Sequence, residues 1–291
     1  PIVIGSKDSA FAATSESCAF PNLDYQIEKY LGPGEIVLMT AEGYEQRKKP
    51  EDKMQVCAFL WVYYGYPASS YEGINVEMVR YRCGQALTRN DTVGIDFVAG
   101  IPDSGIGHAI GYANTKNIAY MRPFVKYTPT WPRSFMPQNQ DMRDLVAKMK
   151  LIPNKAMIEG KCMVFLDDSI VRGTQLKDNT VDLRQAGARE VHMRIACPPL
   201  TFPCNFLNFS QSRSTMELAT RKAIKQLEGE EVHLEEYADP ESEKYKNMVE
   251  QIARNLGIDS LMYQDLGDLI EAIGLPKEKL CTHCWDGSSY Y

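Results

Sequence analysis

The 291-residue sequence contains no apolar run near the roughly 18 residues that a membrane-spanning helix requires. No signal-peptide pattern opens it, and it has neither an internal repeat nor a low-complexity tract. Basic residues are not in excess: 32 lysines and arginines stand against 38 aspartates and glutamates, a formal net charge of −6. That balance excludes a broad basic field of the kind that attracts nucleic acid. The phosphate-binding string G-x-x-x-x-G-K-[ST] is absent as well. What remains is a chain with 44% apolar and 24% charged residues, enough for one large core with an appendage or for two domains. A cytoplasmic protein with no membrane and no nucleic-acid partner is the expectation.

Residues 1–46 read as short strands joined by glycine-rich turns, and the charged, proline-containing "RKKPEDK" after them reads as a linker. "VCAFLWVYYGY", from Val56 to Tyr66, is a β-rich run. Ile74 to Asn90 has apolar residues at helical spacing. Asp96 to Ile101 reads as a buried strand that passes through Pro-Asp-Ser-Gly into a helix of small residues. Residues 122–140 hold four prolines and no clear period, the pattern of a long functional loop. Cys162 to Cys197 reads as a β-turn-α-β unit with parallel strands, its helix ending at Gly187. Helices dominate from Ser214 to a cysteine-bearing tail. The fold class is therefore α/β, with a mostly parallel sheet of about five strands and helices on both faces.

The stretch "VFLDDSIVRGTQLKD", Val164 to Asp178, concentrates the chemistry. A strand ending in Asp167-Asp168 places two carboxylates at the C-terminal edge of a parallel sheet, where α/β folds bind ligands. The turn from Ser169 to Thr174 runs straight into a helix, and its backbone N–H groups and hydroxyls suit a phosphate. Carboxylates repel a phosphate directly but accept hydrogen bonds from sugar hydroxyls a few ångströms away. A sugar phosphate satisfies both halves of the motif. The ordinary alternative is an Asx turn that caps a helix.

The full string closely resembles the phosphoribosyl-pyrophosphate loop of type I phosphoribosyltransferases. Within them "DDSIVRGT" is most similar to the amidophosphoribosyltransferases. "IPDSGIGHAIGYA" resembles their pyrophosphate loop, "YEGINVEMVRYRCGQAL" the helix after their interdomain linker, and "QAGAREVHMRIACPPLTFPC" the strand and proline pair beyond the binding loop. The resemblance covers nearly the whole chain. It implies transfer of an amino group, from ammonia or glutamine, to C1 of phosphoribosyl pyrophosphate, giving phosphoribosylamine and pyrophosphate at the start of purine synthesis. By the same resemblance Ser169, Ile170, Val171, Arg172, Gly173 and Thr174 cradle the 5′-phosphate, and Asp103, Ser104 and Gly105 take the pyrophosphate. Asp167 and Asp168 face the ribose and Mg²⁺, with Asp168 steadying the charge that develops on the ring. Purine nucleotides are expected as inhibitors, and a homo-oligomer as the assembly. A non-catalytic nucleotide-binding relative is the alternative.

The long loop corresponds to a lid whose family pattern is similar to Tyr-x-Gly-Arg-Thr-Phe. Here the text is "YTPTWPRSFMP": Tyr127, Arg133 and Phe135 remain, the glycine is gone and two prolines are added. Arg133 is the expected catalytic residue of the lid, its ordinary alternative being a solvated loop arginine.

Of eight cysteines, Cys281 and Cys284 form a C-x-x-C pair, which alone is moderate grounds for a metal site against buried thiols. One class of the family holds a [4Fe–4S] cluster, and its four cysteine contexts match Cys57, Cys204, Cys281 and Cys284. Zinc suits four thiolates equally. The other four, Cys18, Cys83, Cys162 and Cys197, are expected as small buried hydrophobes. Finally, residues 1–46 resemble the last strands of a glutaminase domain of the N-terminal-nucleophile type, and residues 47–291 the transferase. The sequence starts at Pro1 and not at the nucleophilic cysteine, so the rest of that domain is an expected partner and glutamine hydrolysis is not expected from this chain alone.

Overall fold

The computed structural model describes residues 1–126, 151–204, 206 and 218–288. The N-terminal stretch alternates short polar turns with strands. β1 (Val3–Lys7) pairs antiparallel with both β2 (Ala10–Thr14) and β3 (Gln26–Tyr30), and β4 (Ile36–Thr40) forms a hairpin with β5 (Gly43–Lys48). Strand β5 takes in Arg47 and Lys48, the first two residues of the expected linker. Val3, Ile4 and Phe20 are the buried apolar side chains here, while Ile27, Ile36, Leu38 and Tyr44 lie exposed. Glu16 ties this part to the rest: its carboxylate accepts from Ser69 Oγ at 2.6 Å and from the Tyr71 hydroxyl at 3.1 Å.

The aromatic run Val56 to Tyr66 departs from its sequence-based expectation. Only β6 (Val56–Cys57) is strand, and Leu60–Tyr64 closes a single π-helical turn. β propensity measures how well a side chain fits a pleated, half-buried surface. Here Trp61 and Val62 are buried by inserting into the core from a turn, and the turn's carbonyls are bound by a buried arginine from the next helix. That helix, α1 (Val76–Ala86), starts where the Asn75 side chain accepts from Met78 N at 3.0 Å.

The sheet follows. β7 (Phe97–Gly100) leads into α2 (Gly105–Lys116), and the pair β8 (Phe124–Lys126) and β9 (Leu151–Pro153) precedes β10 (Cys162–Asp167). Helix α3 (Thr174–Gln185), β11 (Glu190–Ile195), α4 (Ala219–Glu228), α5 (Leu234–Ala238), α6 (Glu243–Leu256) and β12 (Ser260–Tyr263) complete the α/β part. The order β12-β11-β10-β7 is parallel throughout, and Tyr120 adds one parallel bridge to Val98 on the outer side of β7. Thus among the described residues the sheet has four strands and a one-residue extension, against the five or so expected. After β12 come α7 (Leu266–Ile273), β13 (Leu280–Cys281) and the short α8 (His283–Asp286).

Strand side chains alternate faces. Val98, Val164 and Leu166 pack under α2 with Ala109, Tyr112 and Ala113. Phe97, Met163, Phe165, Val191, Met193 and Ile195 face the larger core, with Leu183 from α3, Ile224 from α4 and Met248 and Ile252 from α6. Helices therefore cover both faces, and β7 and β10 read as nearly continuous apolar runs because neither face is solvated. No helix among the described residues is long and apolar enough to cross a membrane.

Strand β11 carries polar exceptions, with His192 and Arg194 both buried. Arg194 of β11 is fully enclosed and bonds both Asp91 oxygens, one by Nη2 at 2.9 Å, while the Tyr112 hydroxyl donates to the same carboxylate at 2.7 Å. Removing one partner strands the other charge in the interior. Asp91→Ala is expected to lower unfolding free energy by about 3–5 kcal/mol, read as a drop in the urea midpoint. A loss under about 1 kcal/mol would show that the pair behaves like a solvated one.

Candidate active site

Two loops leave the sheet where its strand order turns. The chain passes from β7 to the Tyr120 edge on one side, then returns to β10 on the other. The C-terminal ends of β7 and β10 therefore flank a switch point, the place where an open parallel sheet leaves a crevice for ligand.

The first loop hugs the neighbouring strand. Ile101 N donates to Leu166 O at 2.9 Å, and Gly105 N donates to Ile101 O at 2.9 Å as α2 begins. No side chain fits between these segments: a Cβ on Gly105 would lie 2.3 Å from Leu166 O, and one on Gly100 would lie 2.7 Å from Gly105 O. The glycines let Ser104 reach across the gap, where its hydroxyl donates to Asp168 Oδ2. Asp103 is exposed and forms an ion pair with Lys126 at the end of β8. The predicted Asp103, Ser104 and Gly105 thus gather beside Asp167 and Asp168. Lys126 was not singled out in the sequence, where it is simply a basic residue following two β-prone ones.

The carboxylates differ in setting. Asp168 is 5% exposed and accepts from both Ser104 and Ser169, the latter at 2.6 Å. Asp167 is half-buried and accepts the Asp168 N–H at 2.9 Å, while its own carbonyl takes Ala196 N at 3.0 Å. Burial, followed by the Asp168 charge, pushes the Asp167 carboxyl well above the usual carboxylate range. Burial raises Asp168 also, against the hydroxyl bonds from Ser104 and Ser169. Two carboxyls taken out of water at one strand end favour a counter-charge beside them.

Beyond them Ser169 to Gly173 forms the loop before α3. Ile170 and Val171 send their side chains to the core, Ile170 being buried and Val171 half-buried, and Ala219 N donates to Val171 O at 2.8 Å. Arg172 and Thr174 are exposed. Gly173, at φ 75°, takes the left-handed conformation that turns the chain into α3. The positive end of the α3 dipole then faces the loop, where an anion is favoured. Arg133, Tyr127 and Phe135 lie outside the described residues.

The segments that carry the four cysteines singled out by the sequence lie against one another. β6 and β13 pair in parallel with Cys57 opposite Cys281, and Ala58 N donates to Cys281 O at 3.2 Å. Thr201 N and Phe202 N both donate to Cys284 O, at 3.0 and 3.1 Å, which brings the segment carrying Cys204 against the tail. Cys57 and Cys284 each lie within electrostatic range of the other three thiols. Burial pushes the Cys57 thiol up to about 12. Among the described residues, no set of three or more His, Cys, Asp or Glu side chains is gathered as a site for a metal ion. Of the other cysteines, Cys83, Cys162 and Cys197 are buried as expected, whereas Cys18 is half-exposed.

The carboxylate pair sets the pH response of stability. With native values raised, the folded protein holds protons that the unfolded chain releases, so stability falls as pH rises from the ordinary carboxylate value through the raised ones. Asp167→Asn keeps an oxygen for the Asp168 N–H and removes the charge. In metal-free buffer it is expected to stabilise the protein on the order of 1 kcal/mol at about pH 8, a gain that shrinks towards pH 4. Thermal melts across that range provide the check, and an unchanged or lowered midpoint at pH 8 would contradict it.

No family model matches the chain. Curated relatives do. The chain is 33% identical over 288 residues to the amidophosphoribosyltransferase of Methanothermobacter thermautotrophicus, covering 99% of this chain and 55% of that protein. The Methanocaldococcus jannaschii enzyme is 32% identical over 303 residues, with 99% and 58% covered, and that of Bacillus subtilis strain 168 is 32% identical over 292, with 99% and 56%. Among solved structures, the glutamine phosphoribosylpyrophosphate amidotransferase of B. subtilis, complexed with ADP and GMP, superposes with a TM-score of 0.80 at 30% identity. It covers all of this chain and 59% of that one. An allosteric regulatory enzyme of purine biosynthesis gives 0.81 at 30%, with 100% and 58% covered. The chain is homologous over its whole length to the amidophosphoribosyltransferases, corresponding to their C-terminal phosphoribosyltransferase part and to about 55% of the full enzyme.

Proposed function

We propose that this chain carries the phosphoribosyl-transfer half of an amidophosphoribosyltransferase, joining ammonia to C1 of phosphoribosyl pyrophosphate with release of pyrophosphate. The observation that supports this best is the meeting of Ser104 and Gly105 with Asp167 and Asp168 at the switch point, beside the N-terminus of α3. In this reading Asp167 and Asp168 accept the ribose hydroxyls, which fixes the ring. Ser169 to Thr174 hold the 5′-phosphate through backbone N–H groups and hydroxyls, with Arg172 adding charge. Asp103 to Gly105 receive the departing pyrophosphate, and Lys126 supplies a positive charge beside Asp103. As the C1–O bond breaks, positive charge spreads over the ring, and the carboxylate of Asp168 stabilises it. Arg133 acts from the lid.

Mg²⁺ held by Asp167 and Asp168 would offset the charge of the leaving group. Cys57, Cys204, Cys281 and Cys284 would supply four thiolates, a donor type suited to a [4Fe–4S] cluster, which would fasten the tail to the body. Zinc is the alternative occupant. Residues 1–46 serve as the last strands of a glutaminase domain completed by a further part, and 47–291 as the transferase. Purine nucleotides compete for the sugar-phosphate site, as suggested by the ADP and GMP of the B. subtilis complex. The protein works in the cytoplasm as a homo-oligomer.

With ammonia, Mg²⁺ and phosphoribosyl pyrophosphate, the chain is expected to release pyrophosphate, and Asp168→Asn to lower kcat/KM on the order of 10²-fold. Nucleotide binding with no pyrophosphate released would select the non-catalytic relative instead. Anaerobic purification is expected to give a brownish protein with broad absorption at about 400 nm that Cys281→Ser abolishes. Colourless protein containing zinc would assign the thiols to that metal.

A further inference from the structure

We propose that Glu16 is a positioning residue for the transferase site. Its carboxylate grips the hairpin that starts α1, so that residues 1–46 set where α1 and the helix packed against it stand. The proposal rests on the reading of the site given above. Among the described residues, the hydrogen bonds that join residues 1–46 to those beyond 55 all end in residues 66–71. Glu16 accepts half of them: Oε2 takes Ser69 Oγ at 2.6 Å and Tyr66 N at 3.4 Å, and Oε1 takes the Tyr71 hydroxyl at 3.1 Å. Beside it Ser17 Oγ accepts Ser70 N at 2.7 Å, and Cys18 N donates back to Ser69 Oγ at 3.3 Å. Ser69 and Tyr71 are enclosed, so without Glu16 their hydroxyls would be left in the interior lacking this acceptor.

The gripped segment is the cap of α1. Ser70 and Tyr71 pair antiparallel with Asn75 and Ile74. Ser69 O accepts Val76 N at 2.9 Å, and Pro67 O accepts Glu77 N at 3.2 Å, which satisfies two N–H groups that the first helical turn leaves without partners. The Asn75 side-chain amide donates to the same two carbonyls, each at 3.2 Å. Behind the hairpin, the Tyr71 ring meets Trp61 edge-on, with centroids 5.8 Å apart.

From the cap, position is passed on by close packing. A Cβ on Gly84 of α1 would meet His108 O at 1.9 Å, and one on Gly111 of α2 would meet Tyr81 O at 2.0 Å. With backbone against backbone, α1 cannot shift unless α2 moves with it. Helix α2 begins at Gly105, next to Ser104 on the pyrophosphate-side loop. One hairpin and two helices in contact therefore lead from Glu16 to that loop, the kind of contiguous packed route along which coupling between distant parts is carried.

Hydrogen exchange and ligand binding on the full chain test this together. Glu16→Ala is expected to speed amide exchange about tenfold in residues 66–86 and in the first turn of α2, the size of one lost hydrogen bond to a charged group. Strands β10 and β11 should stay within about twofold of wild type. The same variant should weaken binding of phosphoribosyl pyrophosphate with Mg²⁺ about fivefold by calorimetry. Glu16→Gln keeps an acceptor oxygen and should remain within about threefold of wild type in both measurements. Faster exchange confined to residues 1–46, or an equal rise that includes β10 and β11, would overturn the role. Should Glu16→Ala not fold, Tyr71→Phe decides, because it removes one donor alone. About threefold faster exchange in α1 and the first turn of α2 is expected from it, and no change there would overturn the proposal. Wild type that fails to bind phosphoribosyl pyrophosphate would instead overturn the reading of the site, while the exchange pattern still judges Glu16.

Discussion

The approach of the β7 loop to the end of β10 governs this site. Leu166 O accepts from Ile101 N while Gly105 passes so close that a methyl group would sit 2.3 Å from the same oxygen. Only with that gap closed can Ser104 donate to Asp168, which joins the pyrophosphate-side loop to the sugar-side carboxylates. A strand spacing of about 4.8 Å sets how far apart two loops on adjacent parallel strands begin. The glycines remove what would otherwise hold them further apart. Any larger residue at 105 separates the two halves of the site before it affects the core.

Around that junction the molecule arranges charge with little water to screen it. Asp167 and Asp168 are held near the interior with raised affinity for protons. The strands that carry the carboxylates are held by the two-sided core of β7, β10 and β11, with the Arg194–Asp91 pair on one face. The turn at Leu60–Tyr64 belongs to the same support, since its carbonyls fix Arg80 and its neighbour Cys57 meets the tail.

Much of this was legible in the amino-acid sequence. The strand ending at Asp167, the turn through Gly173 and the helix ending near Gly187 each carry local signals, and each forms where expected. Cys57 and Cys281, from two of the four cysteine contexts, stand opposite each other. Less legible were the features made by partners distant in the chain. Val56 to Tyr66 has the composition of a strand, but a turn bound by Arg80 competes with a ladder and wins. Ile170 and Val171 are predicted in the binding loop, and only packing reveals that their side chains serve the core while their backbone stays with the loop.

The sequence by itself determined the βα unit that carries the paired carboxylates, the small residues at positions 100 and 105, and the soft donor set, because these depend on propensity, steric size and ligand chemistry within a few residues. Tertiary structure alone decided that Ser104 reaches Asp168, that Arg80 is buried without an ion-pair partner among the described residues, and that Cys57 lies opposite Cys281. The Ser104–Asp168 and Cys57–Cys281 juxtapositions span 64 and 224 residues of chain. Contacts at such separations are selected by how helices and strands pack, and no local pattern encodes them.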